Sequence, residues 1–346
     1  MGKTEYMKVN SKKYTRVCVP CSMYCLTYYL LMSSMEEIKH TFFFMAPTIP
    51  QSLREKFKED SAYIDLNNKW VYKNRFAVSL YMLIKRKLSW PFLFDAEIFG
   101  LDFYWYLLRG LKFNYIEDAP FVFDIWETSS LYANWNRARH ANILKRLAKR
   151  FLFGEYYDNY VGTSTGVEHI YSSNPVAEKP YYKGKEITVL NLNEIWEKSD
   201  KSKKDFILSV YEISDADLLK MKTCNTIILT QPMCFDKIMT MDEQIEIYRQ
   251  MIDEYGAENC IIKPHPRDVI KYNEVFPNVA YFNKPVPMQL LAILGINYEN
   301  VVTVNSSSAL SFGKDANIYW WAEKLDYPRI TDSGAKTLRE AKEMFR

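Results

Sequence analysis

A histidine between two prolines is the residue of this sequence whose type and surroundings most directly suggest chemistry. His265 stands between Pro264 and Pro266, just past an apolar run, and Arg267 follows two residues later. Each proline fixes its own φ and restricts the residue before it, so the segment is rigid and extended. A histidine is often only structural, but an imidazole held at a strand end can donate a proton or hydrogen bond to a leaving phosphate. We therefore predict a functional His265, with Arg267 either an anion ligand or a plain surface charge.

Three consecutive serines follow a second apolar run. Ser306, Ser307 and Ser308 come after Asn305, where the pattern predicts a strand that runs into a helix. The first turn of a helix has free N–H donors and a positive dipole end, which together bind anions. The alternative is ordinary N-capping by serine. Because a cap needs only one serine, we favour phosphate binding.

Carboxylates follow two other predicted strands. Glu117 and Asp118 come after residues 113–116, and Asp236 lies in the loop that leaves the strand at 226–230. A carboxylate at a strand end can act as a general base, and a neighbouring acid raises its pKa. The alternative for each is a solvated acid in a turn or loop. The residues alone do not choose among the three.

Alternating strands and helices must position these groups. In the second half, the helix at 241–255 has Thr240 as its N-cap, Glu243 to complete a capping box, and Gly256 at its end. Continuous apolar strands separated by helices predict buried parallel sheets. We predict two doubly wound α/β domains, residues 1–200 and 201–346, that face a central cleft. Ligands of such sheets bind outside the carboxyl ends of the strands, which is where the candidate residues stand.

Composition narrows the class of protein. A chain of 346 residues suits two domains, and a net charge of +3 gives no support for a nucleic-acid partner. Cys18, Cys21 and Cys25 lack a second ligand pair at a zinc-finger distance, so we interpret them as small buried thiols and predict no metal site. The acids at 215–217 are interpreted as a helix cap.

No secretory signal or membrane-spanning segment is evident in the sequence, so we predict a cytoplasmic protein. Residues 335–346 form a candidate basic amphipathic helix. The sequence leaves two interpretations of it open, a solvated terminal helix or a peripheral membrane contact.

The motifs "KPHPRD", "NSSSAL" and "YIEDA", taken together, resemble those of bacterial sialyltransferases. With the flanking "LTQP" and "IDEYG", the sequence is most similar to glycosyltransferase family 52, most strongly over residues 225–324. That family contains lipooligosaccharide and capsule-type sialyltransferases and some glucosyltransferases. The resemblance implies a GT-B fold and inverting, metal-independent transfer of sialic acid from CMP-sialic acid to a galactose-terminated acceptor, with no cofactor. It also implies a homodimer.

The resemblance also assigns roles to the candidate residues. It implies that His265, as general acid or as hydrogen-bond donor, assists the departing CMP phosphate and that Ser307, with Ser306 or Ser308, binds this phosphate. The base that deprotonates the acceptor is expected at Asp236 first, with Glu117 or Asp118 next. The rest of the expected donor site comprises Lys263, Pro264, Pro266, Arg267, Gln289 and Asn305.

Two positions depart from the family pattern. Ala119 follows the acidic pair where the family has glycine, and Gln289 stands where the family places a glutamate on the donor ribose. An amide can still bind a ribose diol, but without the charge. The alternatives are therefore a transferase of the same family with another nucleotide sugar, such as a glucosyltransferase, or a non-catalytic nucleotide-binding relative. The acceptor and the linkage stay open.

Overall fold

The computed structural model describes residues 14–64, 74–102, 104–126, 143–144, 147–148, 151, 161–312 and 316–325. The chain forms two compact units, one of Met1–Asp118 with Ser130–Ile195 and the other of Ala119–Ser129 with Trp196–Arg346. Each unit contains one sheet, and all the strand pairs recorded in both sheets are parallel. The prediction of an α/β protein with two Rossmann-like sheets is confirmed.

The sheet of the first unit has seven strands in the order β3-β2-β1-β4-β5-β6-β7. The strands are β1 (Arg16–Cys18), β2 (Thr41–Met45), β3 (Ser61–Tyr63), β4 (Glu97–Gly100), β5 (Phe113–Ile116), β6 (Val167–Ser172) and β7 (Glu186–Val189). Every residue of β2 is buried, as the continuous apolar run predicts for a central strand. The strand order changes direction between β1 and β4, which is the switch point where such sheets leave room for a ligand.

Five helices connect these strands: α1 (Met23–Met32), α2 (Met35–Lys39), α3 (Gln51–Lys56), α4 (Arg75–Ser89) and α5 (Trp105–Leu108). Ser22 caps α1 by accepting a hydrogen bond from the backbone N–H of Cys25. Ser34 and Glu37 form a capping box on α2. Lys58–Asp60, Pro91–Phe94 and Pro180–Tyr182 form short 3₁₀ helices in the same unit. The Ser22 cap fixes the start of α1 after β1, in the segment where Cys21 and Ser22 donate hydrogen bonds to Asp118.

The sheet of the second unit has five strands in the order β10-β9-β8-β11-β12. They are β8 (Thr226–Leu229), β9 (Cys260–Lys263), β10 (Ala280–Tyr281), β11 (Asn300–Thr303) and β12 (Asn317–Trp320). All residues of β8 and β9 are buried. Leu229 is in register with Lys263 on one side and with Thr303 on the other. The carboxyl ends of β8, β9 and β11 therefore lie side by side.

The remaining helices are α6 (Val122–Ile125), α7 (Leu192–Lys198), α8 (Lys201–Val210), α9 (Asp215–Lys222), α10 (Met241–Tyr255), α11 (Tyr272–Val275) and α12 (Met288–Ile293). The predicted capping box of Thr240 and Glu243 starts α10, and Gly256, with a φ of 82°, ends it. Ser214 caps α9 in a box with Asp217, so the acids at 215–217 belong to a helix start.

Two predicted features differ from the structure or lie outside it. The serines lead into a 3₁₀ helix, Ser307–Phe312, which is not the α-helix that the sequence predicts. The tail at 335–346 lies outside the described residues. Among the helices that the structure describes, none is both long and apolar enough to cross a bilayer.

Candidate active site

The loop that carries His265 is fastened to the neighbouring strand by Thr230. Because β8 and β9 are paired, Thr230 and His265 leave the sheet side by side. The backbone N–H of His265 donates to Oγ1 of Thr230 at 3.0 Å. The same hydroxyl donates to Oδ2 of Asp268 at 2.6 Å. Thr230 is 2% exposed, so these hydrogen bonds form away from water and fix the backbone of His265 firmly.

The imidazole of His265 is oriented by its own loop. Its Nδ1 lies 3.1 Å from the backbone nitrogen of Arg267 and accepts that N–H. The neutral ring must then carry its proton on Nε2. Burial, together with the positive charge of Arg267, lowers the pKa of His265 below its ordinary value. The loop therefore holds a neutral imidazole whose free group is an Nε2–H donor.

Asp268 collects the hydrogen bonds that hold this loop. Besides Thr230, its carboxylate accepts from the hydroxyl of Tyr272 at 2.9 Å and from Nε2 of Gln244 at 3.2 Å. Its backbone N–H donates to the carbonyl of His265 at 2.8 Å. The segment after β9 is thus a closed turn held at both ends, which is more than the two prolines alone provide.

Gln244 ties this turn to the loop that carries Asp236. It is fully buried in the first turn of α10. Its Oε1 accepts from the N–H of Cys234 at 2.7 Å, and its Nε2 donates to the carbonyl of Gln231 at 2.8 Å as well as to Asp268. Sequence analysis did not single out Thr230, Gln244, Asp268 or Tyr272. A glutamine among the apolar residues of an amphipathic helix is the signal that points to Gln244.

Asp236 lies on the loop after β8 and pairs with Arg267. Their atoms meet at 2.8 Å (Nη1–Oδ1) and 3.3 Å (Nη2–Oδ2), and the side chains are 36% and 54% exposed. This two-pronged pair brings Asp236, His265 and Arg267 to the same edge of the sheet. The Arg267 guanidinium is therefore already paired with the carboxylate of Asp236.

The serines reach the same edge through Thr303. Thr303 is fully buried, donates to the carbonyl of Leu229 at 3.0 Å and accepts the N–H of Ser306 at 3.2 Å. Among the described residues, no side-chain partner binds the hydroxyls of Ser307 and Ser308. Because the turn that follows is 3₁₀ and has only six residues, the expected macrodipole at an α-helix start does not apply. Phosphate binding by these hydroxyls and by the half-buried Asn305 stays a prediction.

Lys263 is the last residue of β9 and is 6% exposed. Its Nζ donates to the carbonyl of Lys284 at 3.1 Å and lies 5.6 Å from the centre of the Phe282 ring. Burial lowers its pKa to about 8. No carboxylate pairs with it in the described part of the chain. Gln289, in the first turn of α12, is half-buried.

The acidic pair belongs to the first unit, where Glu117 follows β5. Glu117 is fully buried and both of its oxygens accept hydrogen bonds. The hydroxyl of Tyr24 donates to Oε1, and that of Ser172 donates to Oε2 at 2.9 Å. Burial raises the pKa of Glu117. This saturated carboxyl links α1, β5 and β6, and fits a structural role.

Asp118 is less completely bound than Glu117. Its Oδ2 accepts from the thiol of Cys21 at 3.9 Å, and its backbone carbonyl accepts from the hydroxyl of Ser22 at 3.0 Å. Its Oδ1 is buried with no hydrogen-bond partner in the described residues. Burial raises the pKa of Asp118 to about 6. Asp118 therefore combines a raised pKa with a buried oxygen that has no hydrogen-bond partner among the described residues.

A further buried acid, which sequence analysis did not identify, follows β4. Asp102 is fully buried, and its Oδ2 accepts the N–H of Ser164 at 3.2 Å. Burial raises its pKa to about 7. Among the residues that the structure describes, no three His, Cys, Asp or Glu side chains are grouped so that they could hold a metal ion. All six cysteines are free, and four of them are buried.

Comparison with known families assigns the chain to a class. Residues 51–326 match the model of glycosyltransferase family 52. The match spans most of the chain, so the protein is a glycosyltransferase. The chain belongs to glycosyltransferase family 52. The resemblance stated from the sequence motifs is confirmed.

Individual proteins are similar over most of their length. The chain is 30% identical to an uncharacterized protein of Haemophilus influenzae over 246 aligned residues. The aligned region covers 70% of this chain and 72% of that protein. An α/β-galactoside α-2,3-sialyltransferase from Photobacterium phosphoreum is 12% identical, with a TM-score of 0.48 over 88% of this chain and 90% of that chain. A UDP-GlcNAc 2-epimerase from Methanocaldococcus jannaschii is 12% identical, with a TM-score of 0.41 over 95% of this chain and 92% of that chain.

Proposed function

We propose that the protein is an inverting sialyltransferase that moves sialic acid from CMP-sialic acid to a terminal galactoside of a cell-surface glycan. The observation that supports this most is the imidazole of His265. It is held at the end of β9 as a neutral Nε2–H donor, on the sheet edge where the serines stand. A departing CMP phosphate gains negative charge, and fixed N–H and hydroxyl donors stabilise such charge without reorganising.

The reaction needs few groups from the protein. The bond from the anomeric carbon to a phosphate oxygen of CMP breaks, and both electrons leave with the phosphate. The centre that remains is oxocarbenium-like, and the acceptor hydroxyl attacks it from the opposite face. The hydroxyl proton passes to a carboxylate. Phosphate stabilisation and one base account for this chemistry, so we propose a reaction without a metal or another cofactor.

We propose Asp118 as the base ahead of Asp236 and Glu117. Both oxygens of Glu117 are hydrogen-bonded, and both oxygens of Asp236 accept from the Arg267 guanidinium, so an acceptor hydroxyl would compete with an existing donor at either carboxyl group. Among the described residues Oδ1 of Asp118 has no hydrogen-bond partner, and we propose that the acceptor hydroxyl donates to it. This choice reverses the order that the sequence suggests.

The setting of the activity is part of the proposal. A galactose-terminated oligosaccharide is the expected acceptor, the enzyme is expected to work in the cytoplasm, and a homodimer is expected from the family resemblance. The linkage is decided by acceptor contacts that the donor-side residues do not set.

The test is donor turnover with the purified protein. CMP-sialic acid is offered with a panel of galactosides, and CMP release and product mass are measured. We expect CMP release that depends on the acceptor and falls by about 10²–10⁴-fold in His265→Gln. No release above blank with any acceptor would reject a sialyltransferase. Turnover of a UDP-sugar instead would favour another donor, for which Gln289 provides a reason. CMP binding without turnover, unchanged in His265→Ala, would favour a non-catalytic relative.

A further inference from the structure

A pocket lies at the edge of the first unit's sheet, outside the ends of β2 and β3. Met45 is the last residue of β2, Tyr63 is the last residue of β3, and the two are in register. Both line a cavity of about 410 Å³. Small-molecule sites usually have volumes of about 300–1,000 Å³, and ligands of parallel sheets bind beyond the carboxyl ends of the strands. The cavity therefore has the size and the place of a binding site, and the proposed transfer reaction leaves it without a ligand.

Two positively charged side chains line this pocket. They are Arg54 on α3 and Lys58, which follows that helix, and they outnumber the single acid Glu55. Within the described part of the chain, neither cation forms a salt bridge, and Nε of Arg54 is buried without a hydrogen-bond partner. Guanidinium groups bind carboxylates and phosphates in a two-pronged geometry. The charges of the pocket therefore favour an anionic ligand.

The ring of Tyr63 positions the guanidinium of Arg54. Cζ of Arg54 lies 4.7 Å from the centre of this ring, which is a cation–π distance. Such a contact orients the guanidinium without placing its N–H groups on an oxygen acceptor. Tyr63 is itself 54% exposed, and an exposed tyrosine offers an apolar ring and a polar hydroxyl to a sugar. The pocket thus combines anion recognition with a surface that suits a saccharide.

The proposed base belongs to the same edge of the same sheet. Asp118 comes after β5, and the strand order puts three strand spacings between β2 and β5, and four between β3 and β5. At about 4.8 Å for each spacing, the pocket lies roughly 14–19 Å along this edge from the end of β5. One sugar is too small to occupy both places, whereas an oligosaccharide can extend from one to the other.

We infer that the pocket binds an inner sugar of the acceptor glycan that carries a carboxylate or a phosphate, while the terminal galactoside lies at Asp118. Arg54 and Lys58 bind the anion, and Tyr63 packs against the sugar ring. The inference rests on the proposed function for the saccharide acceptor, and it adds that this acceptor is charged and longer than one sugar. The donor is a less suitable occupant, because its phosphate already has proposed ligands in the second unit.

Calorimetry in the absence of donor tests the inference with the full chain. Galactose-terminated oligosaccharides of one length are compared, and they differ only in whether the reducing-end sugar carries no charge, a carboxylate or a phosphate. We expect at least one charged saccharide to bind about tenfold more tightly than the neutral one, because charge-assisted hydrogen bonds are the stronger kind. The anion that gives the gain identifies the charged group. Equal affinity for all three would overturn the inference.

Charge variants assign the gain to the pocket. Arg54→Gln with Lys58→Gln should remove the roughly tenfold gain and leave the affinity for the neutral saccharide unchanged. The matched control is Lys39→Gln with Lys183→Gln, which removes two exposed lysines that precede β2 and β7 at the opposite edge of the same sheet. The control should keep the full gain. A gain that persists in the pocket variant, or that both variants lose equally, would overturn the inference.

The aromatic ring provides a separate reading. Tyr63→Ala should weaken the binding of neutral and charged saccharides alike, whereas Tyr63→Phe should retain most of it, and circular dichroism verifies that each variant is folded. Unchanged binding in Tyr63→Ala would overturn the placement of the sugar. Because calorimetry needs no donor, the two proposals fail separately. Absence of sialyl transfer rejects the proposed function, and absence of a charge preference in binding rejects this inference.

Discussion

Nδ1 of His265 accepts the backbone N–H of Arg267 at 3.1 Å, two residues further along the same loop. A protonated ring would have to place a hydrogen on Nδ1, opposite this N–H, and would lose the bond. The loop therefore favours the neutral ring, in agreement with the lowered pKa. Of the two roles implied by the family resemblance, the geometry favours hydrogen-bond donation from Nε2 over proton transfer from an imidazolium.

Removing the imidazole should abolish most turnover. We expect His265→Gln to lower kcat by about 10²–10⁴-fold, since the leaving phosphate loses its positioned donor. The fold should persist because the ring is only half-buried and its bond is local to the loop. Steady-state kinetics and thermal unfolding measure the two effects. His40→Gln, an exposed histidine at the end of α2, is the control, and an equal loss in both variants would contradict the assignment.

The pH profile distinguishes a neutral donor from an acid. The pKa of His265 lies below its ordinary value, so the free enzyme keeps the ring neutral from about pH 6.5 upwards. We expect no fall in kcat/KM between about pH 6.5 and 8 that depends on His265. A decline that approaches tenfold per pH unit in this range, absent from the residual activity of His265→Gln, would mean that the imidazolium is required.

Thr230→Val tests whether the loop must be held in place. The change removes the hydroxyl that accepts from His265 and donates to Asp268, and leaves both groups short of a partner. We expect a loss of about 1–3 kcal/mol in the free energy of unfolding and a fall in kcat with little change in KM. Thr230→Ser keeps the hydroxyl and should retain most of the wild-type stability and most of the wild-type kcat. Full activity in the valine variant would show that the prolines alone suffice.

Substitution of the three carboxylates should identify the base. If Asp118 is the base, kcat/KM of the wild type falls below about pH 6 as it becomes protonated, and Asp118→Asn loses turnover. Asp236→Asn should keep measurable activity, and the matched isostere Glu117→Gln should act mainly on stability. Turnover retained by Asp118→Asn but lost by Asp236→Asn would restore the order suggested by the sequence.

Asp118→Asn should also stabilise the folded state. Because burial raises the pKa of Asp118 from 3.8 to about 6, the native state binds more protons than the unfolded state in that interval. Stability therefore decreases as the pH rises through it. Asparagine carries no charge, so Asp118→Asn should gain about 1–2 kcal/mol at neutral pH. Urea unfolding measures this, and a destabilised variant would show that the native state stabilises the carboxylate by contacts beyond the Cys21 thiol.

Chelation tests the proposal of a metal-free reaction. Activity should be unchanged after dialysis against EDTA, and added Mg²⁺ or Mn²⁺ should not raise kcat. The physical reason is that, in the proposed reaction, N–H and hydroxyl donors stabilise the negative charge on the leaving phosphate, so no metal ion is needed for this task. Loss of activity on dialysis that Mg²⁺ restores would contradict it.

The sequence predicts the helix caps and the buried strands, because these depend on residues that are close together in the chain. Thr240, Glu243 and Gly256 lie within one helix, and their capping roles follow from spacing alone. The apolar runs likewise predicted β8, β9 and β11. The sequence predicts an α-helix start at the serines, because residue spacing does not distinguish a 3₁₀ helix from an α-helix over only six residues.

The network around His265 could not be predicted in this way. Thr230 and Asp268 are 38 residues apart and meet only because β8 pairs with β9 in one register. The difference between Glu117 and Asp118 is also tertiary. These two adjacent acids have different environments, because the Glu117 carboxyl accepts from Tyr24 and Ser172 whereas Oδ1 of Asp118 has no hydrogen-bond partner among the described residues.

Gln244 has a consequence for engineering this enzyme. One amide side chain holds the carbonyl of Gln231, the N–H of Cys234 and the carboxylate of Asp268, and so joins the loops after β8 and β9. A loop transplanted alone from a homologue keeps these bonds only if its backbone follows the same path, because the partners of Gln244 after β8 are main-chain groups. Chimeras that alter donor choice must exchange both loops together with the first turn of α10.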